Sequence, residues 1–467
     1  DGVVVKVEGD PESVTGSVGG VCAKSSAMVQ MLYHPKRFKY PMRRTNPQKG
    51  IGADPGWKRI SWDEALGEIT ERLEKIRGKK EGWRLCTVGG VGALPVTVPL
   101  LNQTGWRNLF GAYSGGAGHS VHCGQASHLG AGMNHCAWST TPDFRYCNYA
   151  LYFGANKGVG SGHSAAMLMK LAAEARSRGM KMVAFDPLCH LAGGKATEWV
   201  PLLPGTDGAV ALAMANIIIN KLRAHDADYL KKKTNAAYLL TPDGEYLRDA
   251  DGEPLLFDLA AQMPKSWKDE TLGDVALEST VHAQGLHQYQ TVFSTVKEHL
   301  KQYEPDWAEK ISTVPARTIE RIAREFAEAA CVGSTIEING VTFPFRPVAA
   351  CMFRGGQGHT NGFHNYQSVL FLNQIMGAAD VPGGALGWPS RSSGYPETGT
   401  TSFQPYAAKD GFLISSAWMP MHGTWPHPEP AVPKDPALFD IFTAAPPMST
   451  MPLKSDAKDI WRKFGFP

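Results

Sequence analysis

The stretch that most constrains the fold is residues 148–187, NYALYFGANKGVGSGHSAAMLMKLAAEARSRGMKMVAFDP. Residues 148–154 and 180–185 are short, almost wholly apolar runs, as strands covered on both faces require. Between them a glycine-rich turn leads into a helix expected over about 161–178, with small and apolar residues on one side. A strand, helix and strand in this order make a right-handed crossover between two parallel strands. The pattern then repeats: EWVPLL reads as a strand and PGTDGAVALAMANIIINKL as a turn and a long helix. The expected fold class is therefore α/β, built on a doubly wound, mostly parallel sheet with helices on both faces. A chain of 467 residues is too long for one core, so more than one lobe is expected.

The rest of the chain is organised around this unit. ISWDEALGEITERLEKIRG carries Ser61 and Glu64 at capping-box spacing, with Trp62, Ala65, Leu66, Ile69, Leu73 and Ile76 along one helical face. Residues 83–90 read as a strand, and the glycine-rich residues 111–132 as an ordered loop. Residues 238–290 hold two Asp-Gly turns between strand-like runs, the pattern of hairpins set on the surface. Residues 316–330 form a helix after Pro315, and the segment from Gly358 reads as a helix closed by a Pro-Gly-Gly turn. From 390 to 450 the chain is loop, rich in Pro, Ser, Gly and Thr.

Composition excludes several classes. The formal net charge is +3, and with no basic and aromatic block standing out there is no electrostatic case for nucleic acid. No apolar run is long enough to span a membrane. The eight cysteines are scattered without a CxxC pair, so a disulfide framework is not expected and most read as small buried hydrophobes.

Three features point to a ligand. GANKGVGSG places Gly154 and Asn156 after a strand and Ser161 at a helix start, where backbone N–H groups favour phosphate. Asp186-Pro187 ends the next strand, where a carboxylate can accept two hydrogen bonds from a ribose or a guanine edge. PGTD puts Gly205, Thr206 and Asp207 at the next helix start. Singly, each is an ordinary turn residue or first-turn acid; together, at equivalent strand ends, they favour a nucleotide site. No GxGxxG with a following acid is present, which disfavours NAD. The loop GHSVHCGQASHLG holds His119, His122, Cys123 and His128 in no common zinc spacing. Cys123 is either an inert thiol or, as a thiolate, a ligand for a soft metal.

GGVCAKSSAMVQMLYHPKRFKYPMRR…GWKRISWDEALGEI, YFGANKGVGSG, AFDPLCHLAGGKATEWVPLLPGTDGAVALAMANIII and GHTNGFHNYQSVLFLNQIMGAADVPGG occur in an order that resembles the molybdopterin oxidoreductases of the dimethyl sulfoxide reductase family. The resemblance implies that Cys22 is the last of four ligands to a 4Fe-4S cluster, the other three cysteines being supplied from outside this chain. It implies that Lys24 lies between cluster and pterin, and that Cys123 ligates molybdenum or tungsten held by two molybdopterin guanine dinucleotides. It assigns Gly154, Asn156, Ser161, Asp186, Pro187, Gly205, Thr206 and Asp207 to one guanine dinucleotide, Gly355, Gln357 and His359 to a loop near a pterin, and His122 to proton donation. The domain division it implies is a β-rich remnant of the cluster-binding segment at 1–60, an α/β lobe with active-site loops from 61–145 and 331–467, and a nucleotide-binding α/β domain at 146–330 with the hairpin insertion at 238–290.

The function implied is that of a catalytic subunit performing atom transfer or two-electron redox chemistry, with electrons leaving through the cluster. A non-redox hydratase or hydroxyl transferase on the same cofactor, a cofactor-free scaffold of a respiratory complex, and a zinc hydrolase built on the histidine loop are the alternatives. The resemblance further implies an interior portion completed by a second chain or further segment, a ferredoxin-like iron-sulfur subunit and a membrane anchor; it leaves the compartment open, favouring export to the periplasm by a twin-arginine signal over a cytoplasmic location.

Overall fold

A computed structural model of the chain describes residues 2–9, 21, 23–88, 113–115, 127, 129–135, 139–159, 165–281, 288–338, 340–388, 406–407 and 413–414. The chain divides into two compact units, one of residues 1–12 and 19–120, the other of 13–18 and 121–467.

The first unit contains two short helical turns, Ala23–Ser26 and Met28–Leu32, and an antiparallel strand pair, Met42–Arg44 with Trp57–Arg59. A helix over Trp62–Gly78 follows. Ser61 caps it, and both bonds of the capping box with Glu64 are present. Trp62, Leu66 and Ile69, on its apolar face, are exposed. Residues 86–88 form the strand expected there, preceded by a 3-10 turn at Gly82–Arg84. Tyr113–Gly115 pairs with it in parallel. The glycine-rich run at 111–132 is therefore not loop throughout: it gives three residues to this ladder and, in the second unit, opens the helix Leu129–His135.

The second unit is built on a four-stranded parallel sheet. Its strands are β1 (Tyr149–Phe153), β2 (Lys181–Phe185), β3 (Glu198–Val200) and β4 (Val348–Met352), in the spatial order β4-β1-β2-β3. Helix α1 (Ala165–Ser177) links β1 to β2, and α2 (Asp207–Asn216) follows β3, continuing as a π-helical turn, Ile217–Leu222. Then come α3 (Pro305–Ser312), α4 (Ala316–Ala329) and, after β4, α5 (Gly362–Ile375).

Alternation along β1 divides two cores. Tyr149, Leu151 and Phe153 face α2, α4 and α5, whereas Ala150 and Tyr152 face the side of α1. The Phe153 and Phe185 rings stack at 4.4 Å on the first side. Each such buried ring contributes about 1.5–3 kcal/mol relative to exposure. Helix α2 is apolar on nearly every side because it is buried on nearly every side. The fold class is α/β with a parallel sheet covered on both faces, as the strand pattern requires.

One placement differs from the sequence reading. VAACM at 348–352 falls in the segment assigned to another lobe, yet pairs residue for residue with β1, Val348 opposite Tyr149 and Met352 opposite Phe153. A boundary at residue 330 does not divide this sheet. The insertion does carry hairpins: Gly244 and Gly252 adopt φ of +83° and +81°, and each Asp-Gly turn is closed by a β-bridge, Leu240 to Tyr246 and Arg248 to Pro254. Strand Leu255–Asp258 then pairs with Met263–Ser266.

A buried ion pair fastens the segment before β4. Arg346 donates through Nε and Nη2 to Asp226 Oδ2 at 2.8 and 2.7 Å, and Asp226 Oδ1 caps the helix Ala227–Lys233 through Tyr229 N–H. Among the described residues, Cys147 and Cys351 are buried and Cys189 and Cys331 exposed. Burial pushes the Cys351 thiol up to about 12 and that of Cys147 higher still, so both behave as hydrophobes.

Candidate functional site at the switch point of the sheet

Strand order reverses between β1 and β4: the chain moves from β1 toward β3 on one side and returns to β4 on the other. Open parallel sheets bind ligands beyond the carboxyl ends of their strands at such a point. Here the two strands run out into glycines that cross backbone on backbone. Gly355 N–H donates to the Gly154 carbonyl at 2.9 Å. Gly154 has φ +51°, and a Cβ there would lie 2.3 Å from Gly356 N. Only a residue without a side chain permits this approach.

Around the crossing the structure gathers several of the expected residues. Asp207 opens α2 and is 4% exposed. A Cβ on Gly356 would lie 3.1 Å from its Oδ1. Burial pushes the Asp207 carboxyl up to about 6; its own backbone N–H and the His359 ring oppose the rise, and Asp186 adds to it. Gly205, at φ +79°, lies against the His359 ring, whose Cγ would be 3.0 Å from a Cβ there. Thr206 does not cap α2: its hydroxyl donates to the Leu203 carbonyl at 2.6 Å.

Gln357 is the most telling member. It is 1% exposed, and neither its amide NH2 nor its amide oxygen has a hydrogen-bond partner among the described residues. A buried amide left without partners costs about 1–3 kcal/mol, so such a group marks a place where a further polar ligand fits.

Asn156, Asp186 and Pro187 form a neighbouring edge. Asn156 Oδ1 accepts from Ala192 N–H at 2.9 Å, holding the loop after β2. Asp186 Oδ1 accepts from Leu188 N–H at 3.0 Å and lies 3.4 Å from His190 Nε2, while Pro187 is exposed. Lys24 is exposed on the helical turn Ala23–Ser26 of the first unit. Cys22, His122, Cys123 and Ser161 lie outside the described residues.

Sequence reasoning missed two residues. Asn365 binds three parts of the site at once: its Oδ1 accepts from Gly208 N–H at 3.1 Å, and its Nδ2 donates to the carbonyls of Gly205 and Gly356 at 3.1 and 3.3 Å. Its signal is the pair Asn361 and Asn365, one helical turn apart at the start of α5. Lys157, directly after Asn156, is fully buried; its Nζ donates to Ser139 Oγ at 2.9 Å and to the Thr140 carbonyl, and lies 5.2 Å from the Phe353 ring centre. Nothing in the sequence distinguishes it from a surface lysine.

Glycine crossing, buried acid and partnerless amide gather at the switch point of a doubly wound α/β sheet, the place where such sheets bind ligands. The chain belongs to the molybdopterin oxidoreductase family, whose family model matches residues 37–414. It is 28% identical over 421 residues to a sulfite dehydrogenase subunit of Allochromatium vinosum, covering 82% of this chain and 41% of that one. It is 35% identical over 251 residues to dopamine dehydroxylase of Eggerthella lenta, 52% of this chain and 23% of that protein. The molybdopterin-containing subunit of arsenate respiratory reductase from a Shewanella species is 25% identical over 385 residues, 82% of this chain and 38% of that protein. Among solved structures, acetylene hydratase from Pelobacter acetylenicus shares the fold with TM-score 0.51 and 20% identity, over 88% of this chain and 42% of that one. The chain thus spans about two fifths of the length of the sulfite dehydrogenase relative.

Proposed function

We propose that this chain is the cofactor-holding part of the catalytic subunit of a molybdenum- or tungsten-pterin oxidoreductase that works by atom transfer or another two-electron redox reaction. In this reading Gly154, Asn156, Ser161, Asp186, Pro187, Gly205, Thr206 and Asp207 hold one molybdopterin guanine dinucleotide, and Gly355, Gln357 and His359 lie near a pterin. The observation that carries it is the Gln357 amide, buried and partnerless beside the glycine crossing.

The donor set fits a guanine-bearing group. Gln357 offers both a donor and an acceptor. Ionised Asp207 accepts two N–H bonds from a guanine edge, and its neutral form donates one. The first N–H groups of helix α2 are taken up within the protein, that of Gly208 by Asn365 Oδ1 at 3.1 Å and that of Ala209 by the Thr206 carbonyl at 3.0 Å.

When bound, the cofactor supplies the metal and the sulfur ligands on which the two-electron chemistry occurs. The chain's own share is to bind, orient and exclude water. Cys123 is proposed as the protein ligand to the metal, and His122 as a proton donor beside it. Cys22 is proposed as one ligand of a 4Fe-4S cluster completed from outside this chain, with Lys24 placing a cation between cluster and pterin. Partners on this reading are a second chain or further segment completing the pterin site, a membrane anchor and a ferredoxin-like iron-sulfur subunit. Among the described residues no helix is long and apolar enough to cross a membrane.

The test is electron flow. The full-length protein, assayed with sulfite, arsenate and catechol substrates beside a viologen or ferricyanide, is expected to pass electrons with at least one of them and to give a metal-centred paramagnetic signal at partial reduction. Turnover of acetylene or another substrate without net electron transfer would replace the redox reading with a hydratase.

A further inference from the structure

Contrary to the reading of composition, residues 34–60 do hold a basic and aromatic block, whose charge the whole-chain balance conceals. Eight lysines and arginines stand there against one acid, Asp54, in a chain whose net charge is only +3. The strand pair Met42–Arg44 and Trp57–Arg59 brings this segment together, with Arg43 directly opposite Lys58. Like charges so placed repel.

Among the described residues the repulsion is relieved at one position of the pair. Arg43 pairs with Glu68 and lies 3.5 Å from Glu64. Arg44 is occupied by backbone, donating to the Asn46 carbonyl at 2.7 Å and to that of Gln48. Lys36, Lys39, Lys58 and Arg59 are exposed and have no ion-pair partner among the described residues. Three large rings stand among them: Phe38 is 68% exposed, Tyr40 49% and Trp57 50%.

The rings are held in place. Phe38 and Trp57 meet edge to face at 6.2 Å, and the Arg59 guanidinium lies 3.3 Å over the Tyr40 ring. Exposed aromatic rings beside arginine, with few acids nearby, match the composition of protein–protein interface centres. A nucleic-acid strand is the competing occupant, since its phosphates pair with the same cations. The Glu64 and Glu68 carboxylates on Arg43 indicate the chemistry this surface attracts.

We infer that this strand pair docks the acidic face of a partner protein. The partner's carboxylates pair with Lys36, Lys39, Lys58 and Arg59, and an apolar side chain packs against Phe38 and Trp57. The inference does not depend on the proposed redox function.

The experiment measures binding of the full chain to four fluorescent probes at low and high salt: a peptide alternating Glu and Leu, poly-glutamate, a short DNA duplex, and vesicles of phosphatidylcholine and phosphatidylglycerol in equal parts. The Glu-Leu peptide is expected to bind most tightly. Its affinity should fall at least about tenfold in the K36E/K39E/K58E variant, and by less but in the same direction in Lys58→Gln. The F38A/W57A variant should weaken the Glu-Leu peptide toward poly-glutamate. DNA or vesicles binding as tightly as the peptide would overturn the inference, as would unchanged peptide affinity in both charge variants.

Discussion

The side-chain amide of Asn365 donates to the Gly205 carbonyl at 3.1 Å, tying the start of the helix after β4 to the turn before α2. The same side chain accepts from Gly208 and donates to Gly356. The turn carrying Asp207 and the loop carrying Gln357 are therefore held by one residue. Asn365→Ala leaves Gly208 N–H and the Gly356 carbonyl without this partner, so a loss of roughly 2–3 kcal/mol is expected in denaturant unfolding. Asn365→Asp is expected not to restore stability, since it keeps the acceptor, loses both donors and buries a second carboxylate beside the Asp207 turn.

Gly154 and Gly179 both have positive φ, at +51° and +99°, but only Gly154 is enclosed. A Cβ at Gly179 meets nothing within 4 Å. Gly179→Ala should cost about 1–2 kcal/mol of backbone strain. Gly154→Ala adds a collision with the Gly356 backbone and should cost at least about 3 kcal/mol. Paired urea titrations of the two variants check the difference.

Asp207 gives the cofactor-free protein a pH signature. Its folded-state value, about 6, lies above the ordinary 3.8. The folded state therefore binds the proton more tightly, and the resulting stability is fully present below about pH 4 and lost as pH rises through 6. The size is of order 3 kcal/mol. Relative to wild type, Asp207→Asn should gain by that order between pH 4.5 and 7.5 in urea titrations; a difference that does not change with pH contradicts it. Glu325 acts in the opposite sense. Burial raises its pKa, but hydrogen bonds from Lys181, Tyr149 and Arg321 outweigh this and hold it at about 2. Its contribution is present above pH 4.5 and lost on acidification toward 2.

Gln357→Leu should change sign with occupancy. In cofactor-free protein it removes a buried partnerless amide and is expected to raise stability by about 1 kcal/mol or more. In protein carrying cofactor it removes polar contacts and should speed cofactor loss, measured as guanine nucleotide released on dilution. Destabilisation in the cofactor-free form would mean that Gln357 already has its partners.

The part of the fold legible in the sequence is the part set by local rules. Residues 149–200 are legible because short apolar runs, a glycine-rich turn and an amphipathic helix each follow from neighbours in the chain. The Ser61 cap and the Asp-Gly hairpins are legible for the same reason. VAACM at 348–352 is not, because an apolar pentapeptide carries no mark of which distant strand it pairs with. Asn365 escapes notice because polar residues at a helix start look like ordinary capping chemistry, and its partners are some 160 residues earlier and in the preceding loop. Lys157 escapes because lysine is so rarely buried. In the first unit, Phe38, Tyr40 and Trp57 are hidden by a charge balance taken over the whole chain.

The central claim is that the switch-point cradle holds a pterin nucleotide with its metal. Its most direct test is the molybdenum, tungsten and pterin content of the full-length protein isolated without air. Metal together with fluorescent pterin and releasable guanine nucleotide is predicted, all reduced in Gly154→Ala. Native, folded protein free of metal and of pterin would contradict it.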